Sequence, residues 1–235
     1  MSTERYSIPG LPCLYLAGSV YTCWQEIGRP DFKDFYVSRY EANDAVTVLD
    51  LARLPSYDSC GEYDEDETFV IWPLICAISF CISEENRVFK SEYMISQLLM
   101  QIVIQTKGLF GIRYFSVHMP QKQIGKISPV YVNYAFPAPY ENDKGNEYSS
   151  SLCEAFKLTS PLCMIEFGVL SEANRNTLRS HSINGNYMLE GRYQNTDRRN
   201  AMLLVGMDKF VDYAHTDFFE MEDMLYRFKA RRINE

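Results

Sequence analysis

Arg5, Tyr15 and Glu26 stand within a single loop, a strand-like run and a short helix-like segment, and they supply a cation, an aromatic hydroxyl and a carboxylate. A guanidinium can grip phosphate bidentately, an aromatic ring can stack on a flat heterocycle, and a carboxylate can steady a developing sugar cation. Together they point to a nucleotide-sugar site. The elements that must position them are legible nearby. Pro9, Gly10 and Pro12 mark a turn, and Cys13 to Ala17 has the length of a buried strand. Gly18-Ser19 ends that strand, with Ser19 as N-cap of a helix over about residues 20 to 27. Val20, Cys23, Trp24 and Ile27 recur at helical spacing, and Gly28, Arg29 and Pro30 close the segment. Glu26 therefore falls near the C-terminal end of its helix. The helix dipole opposes a carboxylate there, so helix stability alone does not choose it.

Further along, residues 33 to 41 and 46 to 51 read as two strands, followed by an acidic loop over about residues 53 to 67. That loop lacks the alternating ligands and glycine of a calcium loop and reads as solvated charge. Phe69 to Ile82 is an apolar run too short to cross a bilayer and reads as a buried core helix. Ser91 can cap a helix over about 92 to 106 with an apolar stripe of Ile95, Leu98, Leu99, Ile102 and Val103. Gly111 to Val117 and Val130 to Phe136 read as neighbouring strands, each carrying one polar residue, Ser116 or Asn133, among apolar ones. Pro137 to Ser151 is the best boundary candidate. Strand-like segments around 161 to 169 and 187 to 193 precede a last helix. It begins at Asp217 with Glu220 completing a capping box, has the stripe Phe218, Met221, Leu225 and Phe228, and ends in Lys229, Arg231 and Arg232.

Composition bounds the function. The 235 residues suit one domain with a large core, and the net charge of -8 disfavours nucleic acid or an anionic membrane as partner. Seven cysteines without a Cys-x-x-Cys pair read as reduced, mostly buried thiols, and three scattered histidines disfavour a metal site. The N-terminus carries no basic-then-apolar signal, so a cytoplasmic location is expected. P-loop, Rossmann and Gly-x-Ser-x-Gly patterns are all absent. Ser116 and His118 stand two apart, without a placed acid or oxyanion donors to make them a hydrolase pair.

What remains is the scattered set Arg5, Tyr15, Glu26, Ser116 and Asn133. Taken singly, Tyr15 also reads as a core tyrosine, Ser116 as a strand serine bonded to backbone and Asn133 as a satisfied buried amide. As a set, the matches at Arg5-Tyr6, Pro9-Gly10, Leu14 to Ala17, Glu26, Gly111 to Ser116 and Asn133 resemble the RES domain family over about residues 3 to 137. The resemblance implies an α+β fold similar to ADP-ribosyltransferases, with a mixed, strongly bent sheet and surrounding helices around a cleft. Residues 1–137 would form the RES-like core and residues 138–235 a C-terminal extension packed on the same domain. It also implies an enzyme that takes NAD as substrate rather than cofactor. Relatives are toxins that cleave the nicotinamide bond, as NAD phosphorylases using inorganic phosphate or as NAD glycohydrolases using water, and protein antitoxins hold them in check.

On that resemblance Glu26 would stabilise the cationic ribose and Arg5 would hold the pyrophosphate. Tyr15 would stack on or bond the nicotinamide riboside, and Ser116 and Asn133 would orient ribose or amide. Nicotinamide leaves neutral, so one well-placed carboxylate suffices without a general acid. Relatives carry a further arginine on a strand before the Arg5-Tyr6 motif, which here would fall before Met1. Without that strand a sheet edge is unpaired and favours a homo-oligomer. A catalytically degenerate protein that binds a nucleotide or protein partner is the alternative reading, and transfer of ADP-ribose to a macromolecule is a third.

Overall fold

The computed structural model describes residues 4–53, 65–82, 87, 89–120, 129–139, 149–166, 202–205 and 209–233. The acidic stretch 54–64 and the strand expected around 187 to 193 lie outside the described residues. The architecture is a mixed α+β fold. Its central sheet has the order β1 (Cys13–Ala17), β6 (Val132–Pro137), β5 (Gly111–Phe115), β4 (Val48–Asp50). The first two pairings are antiparallel, and β4 joins β5 in parallel.

Register decides which side chains share a face. Tyr15 and Ile112 both pair with Ala135, and Ala17 and Tyr114 both pair with Asn133. Directly opposed residues of an antiparallel ladder point the same way, so Tyr15, Tyr114 and Asn133 belong to one face of the sheet. Two helices cover that face. They are α2 (Glu65–Ile78) and α3 (Met94–Gln105), which bring Ile75, Ile78, Leu99, Met100 and Val103 onto Ile112, Tyr114 and Ala135. The opposite face packs Leu14, Leu16 and Phe136 against Leu152 and Phe156.

The later part of the chain supplies that second layer. Helix α4 (Ser150–Ala155) leads into β7 (Phe156–Leu158), which pairs with β3 (Tyr40–Ala42) on one side and β11 (Arg231–Arg232) on the other. A further pair joins β2 (Tyr36–Val37) to β8 (Leu162–Cys163), and β9 (Met202–Val205) with β10 (Lys209–Asp212) forms an antiparallel hairpin. Helix α5 (Asp217–Arg227) packs Met221 and Leu225 against Val20, Phe35 and Val37, so the described C-terminal residues share a core with the N-terminal ones.

Several expectations need correcting. Residues 33 to 41 are not one strand: a 3₁₀ turn at Phe32–Asp34 precedes β2 and β3, because Phe35 turns inward to full burial and breaks the extended run. The Phe69 helix is only half core, since Ile75 and Ile78 are buried while Val70 and Phe80 are exposed. Its successor does not start on a Ser91 cap. A 3₁₀ turn at Ser91–Tyr93 feeds α3, and the buried stripe is Ser96, Leu99, Met100 and Val103, leaving Ile95, Leu98 and Ile102 outside. With apolar residues at most positions of MISQLLMQIVIQ, two overlapping stripes are available, and the sheet selects the one whose Ser96 sits beside Tyr6.

The last helix begins at Asp217 as expected, but its cap is Thr216. Its hydroxyl accepts from the Phe219 N–H at 3.3 Å. The basic end is not helical, because Arg231 and Arg232 run on into β11. Among the cysteines, Cys76 and Cys81 are exposed rather than buried. No helix among the described residues is long and apolar enough to cross a membrane.

Candidate functional site

The site is organised by α1 (Val20–Glu26), seven residues fastened at both ends. At its start Ser19 adopts extended backbone, its hydroxyl accepts from the Thr22 N–H at 3.1 Å, and it donates to the Val130 carbonyl at 2.8 Å. Thr22 donates to the same carbonyl at 2.7 Å. Gly18 permits this close approach, since its N–H lies 2.6 Å from the Val132 carbonyl and a Cβ there would fall 2.8 Å from that oxygen. The helix ends in two reversed hydrogen bonds, Gly28 N–H to Gln25 O at 3.1 Å and Arg29 N–H to Trp24 O at 2.9 Å, with Gly28 and Arg29 both at positive φ. That stop makes Glu26 the last helical residue.

There Glu26 meets the sheet. Its Oε1 accepts from Ser116 Oγ at 2.6 Å and from Asn133 Nδ2 at 2.6 Å. Ser116 and Asn133 are almost fully buried, at 3% and 5% exposure, while the Glu26 side chain is 33% exposed. Two donors on one oxygen fix the plane of the carboxylate. The other oxygen, Oε2, faces His118 Nε2 at 3.9 Å. A sequence separation of 107 residues between Glu26 and Asn133 is thereby closed to a hydrogen bond.

Ser116 sits just past the end of β5, in a turn rather than on a strand. Its Oγ donates to Glu26 and accepts from the backbone N–H of His118 at 3.1 Å. Ser116 and His118 are consequently not a nucleophile and base: the backbone of His118 touches the hydroxyl, and its ring turns to the carboxylate.

Tyr15 and Arg5 lie along the same face of the sheet. The Tyr15 oxygen accepts from the Tyr6 N–H at 2.9 Å and lies 3.1 Å from Ser7 Oγ, so it pins the loop that carries Arg5. Burial pushes the Tyr15 phenol up to about 12 and the neighbouring Cys13 thiol up to about 11. The Arg5 guanidinium donates to the carbonyls of Ile78 and Phe80, the latter at 3.1 Å, and stands 5.1 Å over the Tyr93 ring. It thus closes the C-terminal end of α2, where a cation is favoured. Of its five N–H donors these bonds take two.

Tyr114 ties the two parts together. Burial raises its pKa well above the usual phenol range, the nearby Tyr6, Glu26 and Tyr15 raise it further, and Arg5 lowers it. A neutral phenol therefore lies within electrostatic reach of both the carboxylate and the guanidinium. Strand alternation from Ser116 back to Tyr114 and Ile112 is the signal that could have singled it out. Glu222 was equally hidden in the sequence. It is buried at 6% exposure and accepts at Oε1 from the Val20 N–H at 2.7 Å and from the Tyr213 hydroxyl at 2.6 Å.

A cavity of about 390 Å³ opens beside β1, between residues 15–20, residues 36–40 and the Glu222, Leu225 and Tyr226 side of α5. Tyr15 belongs to its walls, whereas Glu26, Ser116 and Asn133 do not. The described residues include no group of three or more His, Cys, Asp or Glu that could hold a metal ion.

The chain is similar to a Bacillus subtilis (strain 168) protein named "Putative toxin YopC", with 34% identity over 180 residues. The matched region is 70% of this chain and 40% of that protein, so the chain spans less than half the length of this relative. No family model matches the sequence, and no solved structure matches it.

Proposed function

We propose that this chain is a RES-type, ADP-ribosyltransferase-like enzyme that cleaves NAD at the nicotinamide glycosidic bond, with inorganic phosphate or water as acceptor. On this reading it acts as a toxin restrained by a protein antitoxin. The observation that carries it is the clamp on Glu26. A carboxylate at the unfavourable end of its helix is held by Ser116 and Asn133 through one oxygen, while the other is left for a ligand. An oxocarbenium-like ribose needs a fixed, charged carboxylate beside C1′ and the ribose hydroxyls, and no proton for its neutral leaving group. The similarity to a protein named as a toxin supports the biological side of the proposal.

Tyr15 would fix the Arg5 loop and line the riboside, and Tyr114 would keep the floor between Arg5 and Glu26 uncharged. Arg5 retains three N–H donors for pyrophosphate beyond its two bonds to carbonyls. The alternative, a catalytically degenerate protein that binds nucleotide or protein, has one observation in its favour: Arg5 already has a structural task at the end of α2.

Incubation with NAD, with and without phosphate, separates the two while nicotinamide, ADP-ribose and ADP-ribose 1″-phosphate are followed. The proposal predicts loss of NAD that Glu26→Gln slows about 100- to 1000-fold. Intact NAD at high protein concentration would favour the binding reading, and label appearing on protein or nucleic acid would indicate transfer to a macromolecule.

A further inference from the structure

Given NAD cleavage as proposed above, on which this inference rests, we infer that His118 is the catalytic residue that receives the acceptor oxygen, sharing it with Glu26 Oε2. The geometry is the basis. Nε2 of His118 and Oε2 of Glu26 stand 3.9 Å apart, too far for a hydrogen bond to each other. One oxygen can nevertheless sit about 2.8 Å from both, a normal hydrogen-bond length to each. The gap therefore fits an oxygen that carries a hydrogen for Oε2: a water, or the hydroxyl of a hydrogen phosphate dianion.

Other groups around Glu26 are committed. Oε1 takes two hydrogen bonds, the Asn133 amide donates one of them, and Ser116 Oγ both donates to Glu26 and accepts from the His118 backbone. His118 differs in that its side chain is 46% exposed and its ring has a nitrogen directed at the open carboxylate oxygen. An imidazole nitrogen can take a proton from an attacking water, or donate to a phosphate oxygen that needs no deprotonation.

The step balances. The bond from ribose C1′ to the nicotinamide nitrogen breaks, and its electron pair leaves with neutral nicotinamide. The acceptor oxygen forms the new bond to C1′. If the acceptor is water, its proton passes to His118 Nε2 and the product is ADP-ribose. If it is hydrogen phosphate dianion, its hydroxyl occupies the gap, an unprotonated oxygen of the same phosphate bonds to C1′, no proton is lost and the product is ADP-ribose 1″-phosphate. Glu26 Oε1 stays on Ser116 and Asn133 throughout, and Oε2 faces the cationic ribose as well as the acceptor.

Substitution of His118 isolates the ring. The bond to Ser116 comes from the backbone N–H, so His118→Ala leaves the Glu26 clamp in place. The test measures NAD turnover by wild type, His118→Ala, His118→Gln and Glu26→Gln across a phosphate titration, with H₂¹⁸O tracing the water-derived product. The expected result for His118→Ala is a fall in turnover of about 100-fold or more, a changed split between the two products, and an unchanged KM for NAD. His118→Gln, which keeps a hydrogen-bond donor but no base, should recover the phosphate product more than the water product. Wild-type turnover and product split in His118→Ala, beside a dead Glu26→Gln, would overturn this inference and leave NAD cleavage standing. A wild-type chain that consumes no NAD would remove both.

Discussion

Two carboxylates bracket the same seven-residue helix, and they are held in opposite ways. Glu222 approaches the N-terminus of α1, where it accepts the Val20 N–H, and it is buried with a Tyr213 hydroxyl on the same oxygen. Glu26 ends the helix, accepts from two side chains on one oxygen, and is a third exposed. The dipole favours a negative charge at the first end and opposes it at the second. The Glu222 carboxyl at the favoured end, buried and supplied with two donors, docks α5 onto α1. At the opposed end Ser116 and Asn133 fix the carboxylate through one oxygen and leave the other facing His118, an arrangement that helix stability does not require.

Removing the structural member should produce the larger change in stability. Glu222→Ala leaves the buried Val20 N–H and Tyr213 hydroxyl without this acceptor, and should cost about 2–4 kcal/mol. For a domain of this size that corresponds to a fall in Tm of roughly 5–15 °C by thermal denaturation. A shift below about 2 °C would mean that the α1–α5 contact is held by Val20, Met221 and Leu225 alone.

Loosening the functional member should do the reverse. Asn133→Ala or Ser116→Ala leaves Glu26 Oε1 with one donor, so NAD cleavage should fall roughly 10-fold, about 1.4 kcal/mol, per substitution. The two effects should not add, because both act through the one oxygen, and a double-mutant cycle measures the coupling. Strict additivity would show that the pair does not act as a clamp.

An effect confined to alkaline pH probes the buried phenols beside the site. Burial raises the Tyr15 phenol to about 12 and the Tyr114 phenol well above the unfolded value near 10. Below pH 10 both phenols are neutral in either state and their contribution is intact. Between pH 10 and 12 only the unfolded chain ionises them, so stability should fall by up to about 1.4 kcal/mol per pH unit for each. Tyr15→Phe should flatten that alkaline slope in denaturant titrations, and an unchanged slope would place the Tyr15 oxygen in contact with solvent.

Arg5→Lys should give the smallest effect on folding, within about 1 kcal/mol, since a lysine keeps the charge at the end of α2 while losing the forked geometry. If Arg5 also holds pyrophosphate, the same substitution raises the KM for NAD without a matching loss of Tm.

The sequence disclosed the two sides unequally. Glu26 stood out because its position runs against the helix dipole; Ser116 and Asn133, which singly read as a backbone-bonded serine and a satisfied buried amide, were grouped with it only by the resemblance to RES domains, and the structure joins all three. Glu222 could not be seen, since an acid in the middle of an amphipathic helix is commonplace and its partners lie at residues 20 and 213. Tyr114 looked like any strand tyrosine until the β5–β6 register placed it opposite Asn133. The phase of α3 was ambiguous for the opposite reason, because nearly every position is apolar and periodicity cannot rank overlapping stripes. Long-range pairing also decided the ends of the last helix, where Arg231 and Arg232 exchange a helical terminus for a strand beside β7.

The most direct test of the central contrast is nicotinamide release from NAD by wild type, Glu26→Gln and Glu222→Gln, each at a temperature well below its own Tm. Wild type should release nicotinamide, folded Glu222→Gln should release it at a comparable rate, and Glu26→Gln should lose about 100-fold or more with Tm nearly unchanged. Equal release by wild type and Glu26→Gln would contradict that contrast.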